Sequence, residues 1–240
     1  MQTPLIIAHR ARTENVMENT AASIQAAAAT GADLIELDVR LTLDRQPVVF
    51  HDAFLGRLTH RHGPIGLFPA ALLPRLSTLP GGDAIPIPYL THVVRDAPVS
   101  CQLALHLKSR RAIRPVLSIL RKQGSAGSTW LWLEHVDDVY LATRTLPELR
   151  CTLLRPGAWT PSRRDDYFRE AQASGARAVS VPGGAVSPDL VRQAHQHHLS
   201  VFSRIDHIHL LPELAANGLD GVITADPAAA FALLQSIGRR

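Results

Sequence analysis

Short apolar runs alternate with amphipathic stretches along most of the chain, and this rhythm predicts the elements. Leu5–His9 reads as a strand that ends in polar residues. The alanine-rich stretch up to Thr30 reads as a helix, capped by Asn19 or Thr20 and stopped by Gly31. Asp33–Val39 and Pro47–Phe50 read as strands separated by a polar turn around Asp44–Gln46. Further strands are predicted at Gln102–Leu107, Thr129–Leu133, Cys151–Leu154, Arg177–Val181, Leu199–Ser203 and Gly221–Thr224. Helices are predicted over Arg111–Lys122, Val136–Leu146, Asp165–Ala173, Pro188–His198, Ile208–Ala216 and Pro227–Ile237, with Pro227 at a first helical position. Residues 52–95 break the rhythm. They are rich in proline, glycine and histidine, with one short helical piece near Pro69–Leu76, and read as a loop or small insertion.

Such alternation predicts an α/β protein with parallel strands under helices, in one domain spanning residues 1–240. The number of strand-like segments favours a closed (β/α)₈ TIM barrel, somewhat irregular in its first third. An open doubly wound sheet shares the local rhythm, but no glycine-rich phosphate loop follows the first strand. The link from Val39 to Pro47 is too short for a helical crossover, which is the one irregularity of the pattern.

Composition changes the picture only at the margins. The chain has 240 residues, 46% of them hydrophobic and 19% charged, enough for a sizeable core and too apolar for disorder. No apolar run reaches spanning length, so stable membrane insertion is not expected. Met1–Ala8 lacks the basic start and long apolar core of a secretory signal, and a cytoplasmic location is expected. Cys101 and Cys151 make neither a disulfide framework nor a cysteine-rich zinc site. The formal charge of +4 is spread over scattered arginines, with lysine only at positions 108 and 122, and no nucleic-acid partner is expected. The spacing within His60–His62 and within His195–His198 matches no strong metal signature.

Charged residues inside apolar strands are costly unless paired or liganded. Glu36 and Asp38 lie two apart in a predicted strand, so they share a face, where two carboxylates repel each other and suit a hard cation. A salt bridge to arginine is the blander alternative. His9–Arg10 ends the first predicted strand and His51–Asp52 the third, which brings them to the rim where barrel enzymes hold their sites. Two histidines can share a reaction between proton removal and proton delivery, and Arg10 suits a phosphate or carboxylate. His106 and Lys108 share a face of their own strand. Lys108 is placed to neutralise phosphate charge or restrain a carboxylate, and His106 is either a further cation ligand or a core histidine. Together these groups favour metal-assisted attack on a phosphate ester.

The motifs resemble the glycerophosphodiester phosphodiesterase family. They appear as His9–Arg10–Ala11, Glu18–Asn19–Thr20, Glu36–Leu37–Asp38–Val39, Pro47–Val48–Val49–Phe50–His51–Asp52 and the closing Gly218–Pro227 segment. The resemblance implies a TIM barrel that uses a divalent cation to cleave glycerophosphodiesters to sn-glycerol 3-phosphate and an alcohol. By the same resemblance His9 and His51 are the acid/base pair, and Arg10 and Lys108 contact phosphate. Glu36 and Asp38 bind the cation, with Glu18 either supporting them or joining them. Three positions depart from the family pattern. Ala11 stands where the family has glycine, Phe202–Ser203–Arg204–Ile205 replaces a Trp-Thr-x-Asn segment, and His106 stands where the family has a metal-binding glutamate.

The resemblance implies Mg²⁺ or Ca²⁺. A nitrogen donor at His106 shifts the expectation toward Mn²⁺, Co²⁺ or Zn²⁺. Glu134, two residues past Trp132 on the next strand, is a candidate for the missing negative charge. Direct attack by water and attack by the adjacent glycerol hydroxyl, through a cyclic phosphate, use the same histidines and both stay open. The competing expectation is a divergent, non-catalytic barrel that binds a phosphorylated ligand.

Overall fold

The computed structural model describes residues 3–14, 16–59, 61–75, 85–154 and 160–240. Nine strands form one sheet: β1 (Leu5–Ala8), β2 (Leu34–Leu41), β3 (Pro47–Val49), β4 (Gln102–Leu107), β5 (Thr129–Leu133), β6 (Arg150–Leu154), β7 (Ala178–Pro182), β8 (Ser200–Arg204) and β9 (Gly221–Thr224). The order is β1-β9-β8-β7-β6-β5-β4-β2-β3, and β1 also pairs with β2. That last pairing closes the eight parallel strands β1, β2 and β4–β9 into a barrel. The short link after Val39 is explained by β3, which runs antiparallel to β2 as a hairpin partner outside the ring.

Helices α1 (Ala21–Ala29), α2 (Leu90–Arg95), α3 (Ile113–Gln123), α4 (Val136–Thr145), α5 (Arg164–Ser174), α6 (Pro188–Gln196), α7 (Leu211–Ala216) and α8 (Pro227–Ser236) supply the crossovers. Thr20, not Asn19, caps α1: its Oγ1 accepts from the Ser23 amide and Ser23 Oγ accepts from the Thr20 amide. α3 buries Ile113, Val116, Leu117 and Leu120, the stripe its period predicts. Among the described residues no helix is long and apolar enough to cross a membrane.

Two apolar layers follow from strand alternation. One lies between strands and helices. The other fills the barrel itself, where Ile7, Ala104, Trp130, Trp132, Phe202 and Ile223 are among the buried residues. The Phe202 ring lies where a Cβ on Gly221 would come within 2.6 Å, so the bare backbone of β9 makes room for this aromatic plug.

The irregular region has its own small core of Val48, Phe50, Leu55, Ile65, Leu73 and Ile87. It contains short 3₁₀ turns, among them Ala70–Arg75 where the short helical piece is predicted, and it ends in α2, which the proline-rich flanks conceal in the sequence. His60 and Leu76 lie outside the described residues.

Candidate active site

A cavity of about 530 Å³ opens at the C-terminal ends of the barrel strands. His9, Arg10, Glu36, His51, His106, Lys108 and Glu134 line one side of it. Trp132, Leu154, Val181, Pro182 and Ile223 line the other, largely apolar side, with Ser180 and Arg204 as its polar points. The sequence-predicted histidines, phosphate cations and cation ligands therefore converge, with Asp38 just beneath them.

Strand register places the charged groups. Glu36 and Asp38 point inward from β2 and are each 1% exposed. β2 and β4 align Asp38 with His106. One donor atom each from Glu36, Asp38 and His106 lie within 4.8 Å of one another, a group suited to a metal ion. The two imidazole nitrogens of His106 face different neighbours. Nδ1 is 3.6 Å from Asp38 Oδ1, 3.8 Å from Glu36 Oε1 and 2.9 Å from Lys108 Nζ. Nε2 is 3.3 Å from Glu134 Oε1. Glu134 thus meets His106 from the far side and does not join the carboxylate pair. Glu18 does not join it either: its Oε1 accepts from Arg10 Nη1 at 3.3 Å and Arg57 Nη2 at 2.6 Å.

The two buried carboxylates differ in their surroundings. Burial, then the charge of Asp38, pushes the Glu36 carboxyl well above the usual range. Burial also pushes Asp38 up, but the Lys108 ammonium, 2.9 Å from Oδ1, outweighs it and holds that carboxyl at about 2. Two carboxylate oxygens and one imidazole nitrogen, each within 4.8 Å of the others, make a donor set that fits a divalent cation.

His9 ends β1 and begins a tight turn in which Arg10 and Ala11 have φ of 57° and 53°. Ala11 is completely buried. The methyl that replaces the family glycine is therefore accommodated in the left-handed region, at a strain of about 1 kcal/mol. The turn aims the Arg10 amide at Glu36 Oε2, 2.8 Å away. Burial, then the charges of Arg10 and Arg204, drives the His9 pKa down to about 3. His51 is differently held. Its Nδ1 donates to Asp52 Oδ1 at 2.6 Å and its Nε2 accepts from Arg10 Nη2 at 2.7 Å. Asp52 in turn takes Arg57 Nε at 2.5 Å. An Asp52–His51–Arg10 chain therefore fixes the imidazole tautomer and orientation.

Three contributors are not singled out by the sequence. Asn19, 3% exposed, clamps Asp38: its Nδ2 donates to Oδ2 at 3.1 Å and its Oδ1 accepts the Asp38 amide at 3.2 Å. Its φ of 58° allows this; the sequence offers Asn19 as a helix cap and as part of the Glu18–Asn19–Thr20 motif, not as a partner of Asp38. Arg57 ties Glu18 to Asp52. Arg204 follows the inward Phe202 by two positions, which was the available signal for its place in the cavity. The Trp132 indole N–H, on the cavity's apolar side, is buried with no hydrogen-bond partner.

Residues 9–229 match the model of the glycerophosphoryl diester phosphodiesterase family. An uncharacterized protein of Mycobacterium tuberculosis is 31% identical over 156 residues, which is 59% of this chain and 52% of that one. The chain thus spans about half the length of that curated relative. A glycerophosphodiester phosphodiesterase of Bacillus altitudinis is 25% identical over 241 residues, covering 92% of this chain and 94% of that one. In fold, the chain is similar to an Oleispira antarctica phosphodiesterase solved in complex with the product sn-glycerol-3-phosphate. The TM-score is 0.81 at 23% identity, over 97% of each chain.

Proposed function

The chain belongs to the glycerophosphoryl diester phosphodiesterase family, and from that premise we propose that it hydrolyses glycerophosphodiesters to sn-glycerol 3-phosphate and an alcohol. The observation that carries this reading is one cavity in which two histidines, two phosphate-matched cations and a buried carboxylate pair face one another. All of them sit in a single barrel domain, which we take to be the catalytic unit.

Glu36, Asp38 and His106 would hold a divalent cation, which supplies Lewis-acid stabilisation of charge gathering on the phosphoryl oxygens. Arg10 presents a planar fork to the phosphate, steadied by Glu18. Lys108 is the second phosphate cation. Its ammonium contacts Asp38 and His106 and lines the same cavity.

The two histidines divide the proton work by environment. His9, held neutral by burial and by the Arg10 and Arg204 charges, would take the proton of the attacking group once the substrate phosphate offsets those charges and restores its basicity. His51, with Nδ1–H anchored on Asp52, exchanges protons through Nε2 and serves the leaving alcohol. A substrate phosphate that draws Arg10 toward itself also uncovers that Nε2. The apolar wall accepts the carbon skeleton.

The test is glycerol 3-phosphate release from glycerophosphodiesters after metal stripping and re-addition of Mg²⁺, Ca²⁺, Mn²⁺, Co²⁺ or Zn²⁺. Cation-dependent release that vanishes in His9→Ala and His51→Ala is the expected result. Folded protein with no turnover under any ion would overturn the reading in favour of a ligand-binding barrel.

A further inference from the structure

We propose that Glu134 is a positioning residue that fixes His106 as a cation ligand through Nδ1, so that an imidazole backed by a carboxylate takes the place of a third acidic ligand. The inference rests on the cation reading above and concerns how this chain alone builds that site.

The chemistry of the two neighbours decides the tautomer. A carboxylate oxygen only accepts, so the contact between Glu134 Oε1 and His106 Nε2 at 3.3 Å requires the proton on Nε2. An ammonium only donates, so Lys108 Nζ at 2.9 Å from Nδ1 requires a lone pair there. Both demands select the same neutral imidazole, and the lone pair they leave is the one facing Asp38 and Glu36. Either partner reversed would have turned the proton toward the carboxylates and spoiled the donor set.

Strand register makes the arrangement durable. His106 is paired with Asp38 on one side and with Trp132 on the other. Glu134 follows Trp132 by two positions, so alternation returns it to the same inward face, beside the His106 edge that points away from Asp38. Glu134 is 40% exposed and stands at the rim, while Asp38 is 1% exposed beneath it. The order from solvent inward is therefore carboxylate, imidazole, cation position, carboxylate pair. A carboxylate hydrogen-bonded to a ligand histidine orients the ring and makes it a stronger donor. It also restores, one bond further out, negative charge that a neutral ligand omits. The resulting set suits ions that accept nitrogen, Zn²⁺, Co²⁺ and Mn²⁺, over Mg²⁺ and Ca²⁺.

The experiment uses Zn²⁺ as a diamagnetic probe on the metal-stripped full chain, with ¹⁵N-histidine spectra and calorimetric titration. The expected result is a Zn²⁺-dependent shift of His106 Nδ1 while Nε2 keeps its proton. Glu134→Gln should weaken Zn²⁺ about 10–100-fold, with Glu134→Asp recovering part of the loss. In a His106→Glu background, which has no imidazole to orient, Glu134→Gln should leave Zn²⁺ affinity unchanged. Zinc bound through Nε2, or bound equally well by Glu134→Gln, overturns the inference and leaves the cation site standing. No binding of any divalent ion by the unmodified chain overturns both.

Discussion

Acid should destabilise this protein through His9 in particular, and the size of the effect follows from its surroundings. The ring ends β1 against the barrel interior, with Arg10 in the next position and Arg204 across the cavity. Burial first, and then those two guanidinium groups, bring its pKa from 6.5 to about 3. In the unfolded chain the imidazole binds its proton as pH falls through 6.5; in the folded chain it does so only near 3. The unfolded state therefore holds more protons between these values, and folding stability declines with acidity across that window. The stability is fully present above pH 6.5. At roughly 1.4 kcal/mol per pH unit, moving from pH 6.5 to 4.5 removes about 2–3 kcal/mol. For a chain of this size that is a fall in Tm of roughly 5–10 °C.

The assay is urea unfolding of cation-free protein from pH 4.5 to 7.5, comparing the unmodified chain with His9→Gln, which fills similar space and does not titrate. The difference between the two should open by about 2–3 kcal/mol toward the acid end. Arg204→Gln should reduce that opening only in part, because burial is the larger cause. Parallel pH profiles for the unmodified chain and His9→Gln would refute the reasoning, since they would mean that His9 titrates alike folded and unfolded.

Other consequences concern the groups around the carboxylates. Lys108→Met removes the ammonium from Asp38 Oδ1 and His106 Nδ1, so turnover should collapse while divalent-ion affinity, read by calorimetry, rises at least several-fold. Asp52→Asn keeps the shape of the His51 contact but removes its charge; kcat should fall by roughly 10²–10⁴ with KM little changed, measured by product release. Asn19→Ala leaves the Asp38 amide and one carboxylate oxygen without partners in a buried site, lowering stability by about 2–3 kcal/mol by urea unfolding.

How much of this was legible beforehand depends on the range of each interaction. Alternation within a strand is local, so the shared face of Glu36 and Asp38, and that of His106 and Lys108, follow from spacing alone. The barrel follows nearly as directly, because each short apolar run must bury both faces and each helix must cover one of them. Strand β3 was legible as Pro47–Phe50, but its antiparallel pairing showed only as a link too short for a crossover, and pairing with β2 is the physical answer to that anomaly. α2 was invisible because six residues between prolines carry too little period to register. The Thr20 cap was ambiguous because Asn19 is equally good chemistry; tertiary demand from Asp38 took the asparagine away.

Partner choice across the rim lies beyond local pattern altogether. Glu18 stands next to Asn19 in a segment that leads into the site, and nothing in its spacing distinguishes a ligand from a brace. The outcome is set by Arg57, which arrives from the irregular excursion after β3 and competes for the same oxygen as Arg10. Two guanidinium groups on one carboxylate outbid a distant cation position, and the brace they form reaches through Asp52 to His51. The excursion thus has a physical reason to carry its own apolar core. A packed segment holds Arg57 against both Glu18 and Asp52, which in turn contact Arg10 and His51. The departure from regular barrel rhythm between β3 and β4, read from the sequence as a loop or small insertion, thus braces Arg10 and His51 at the rim.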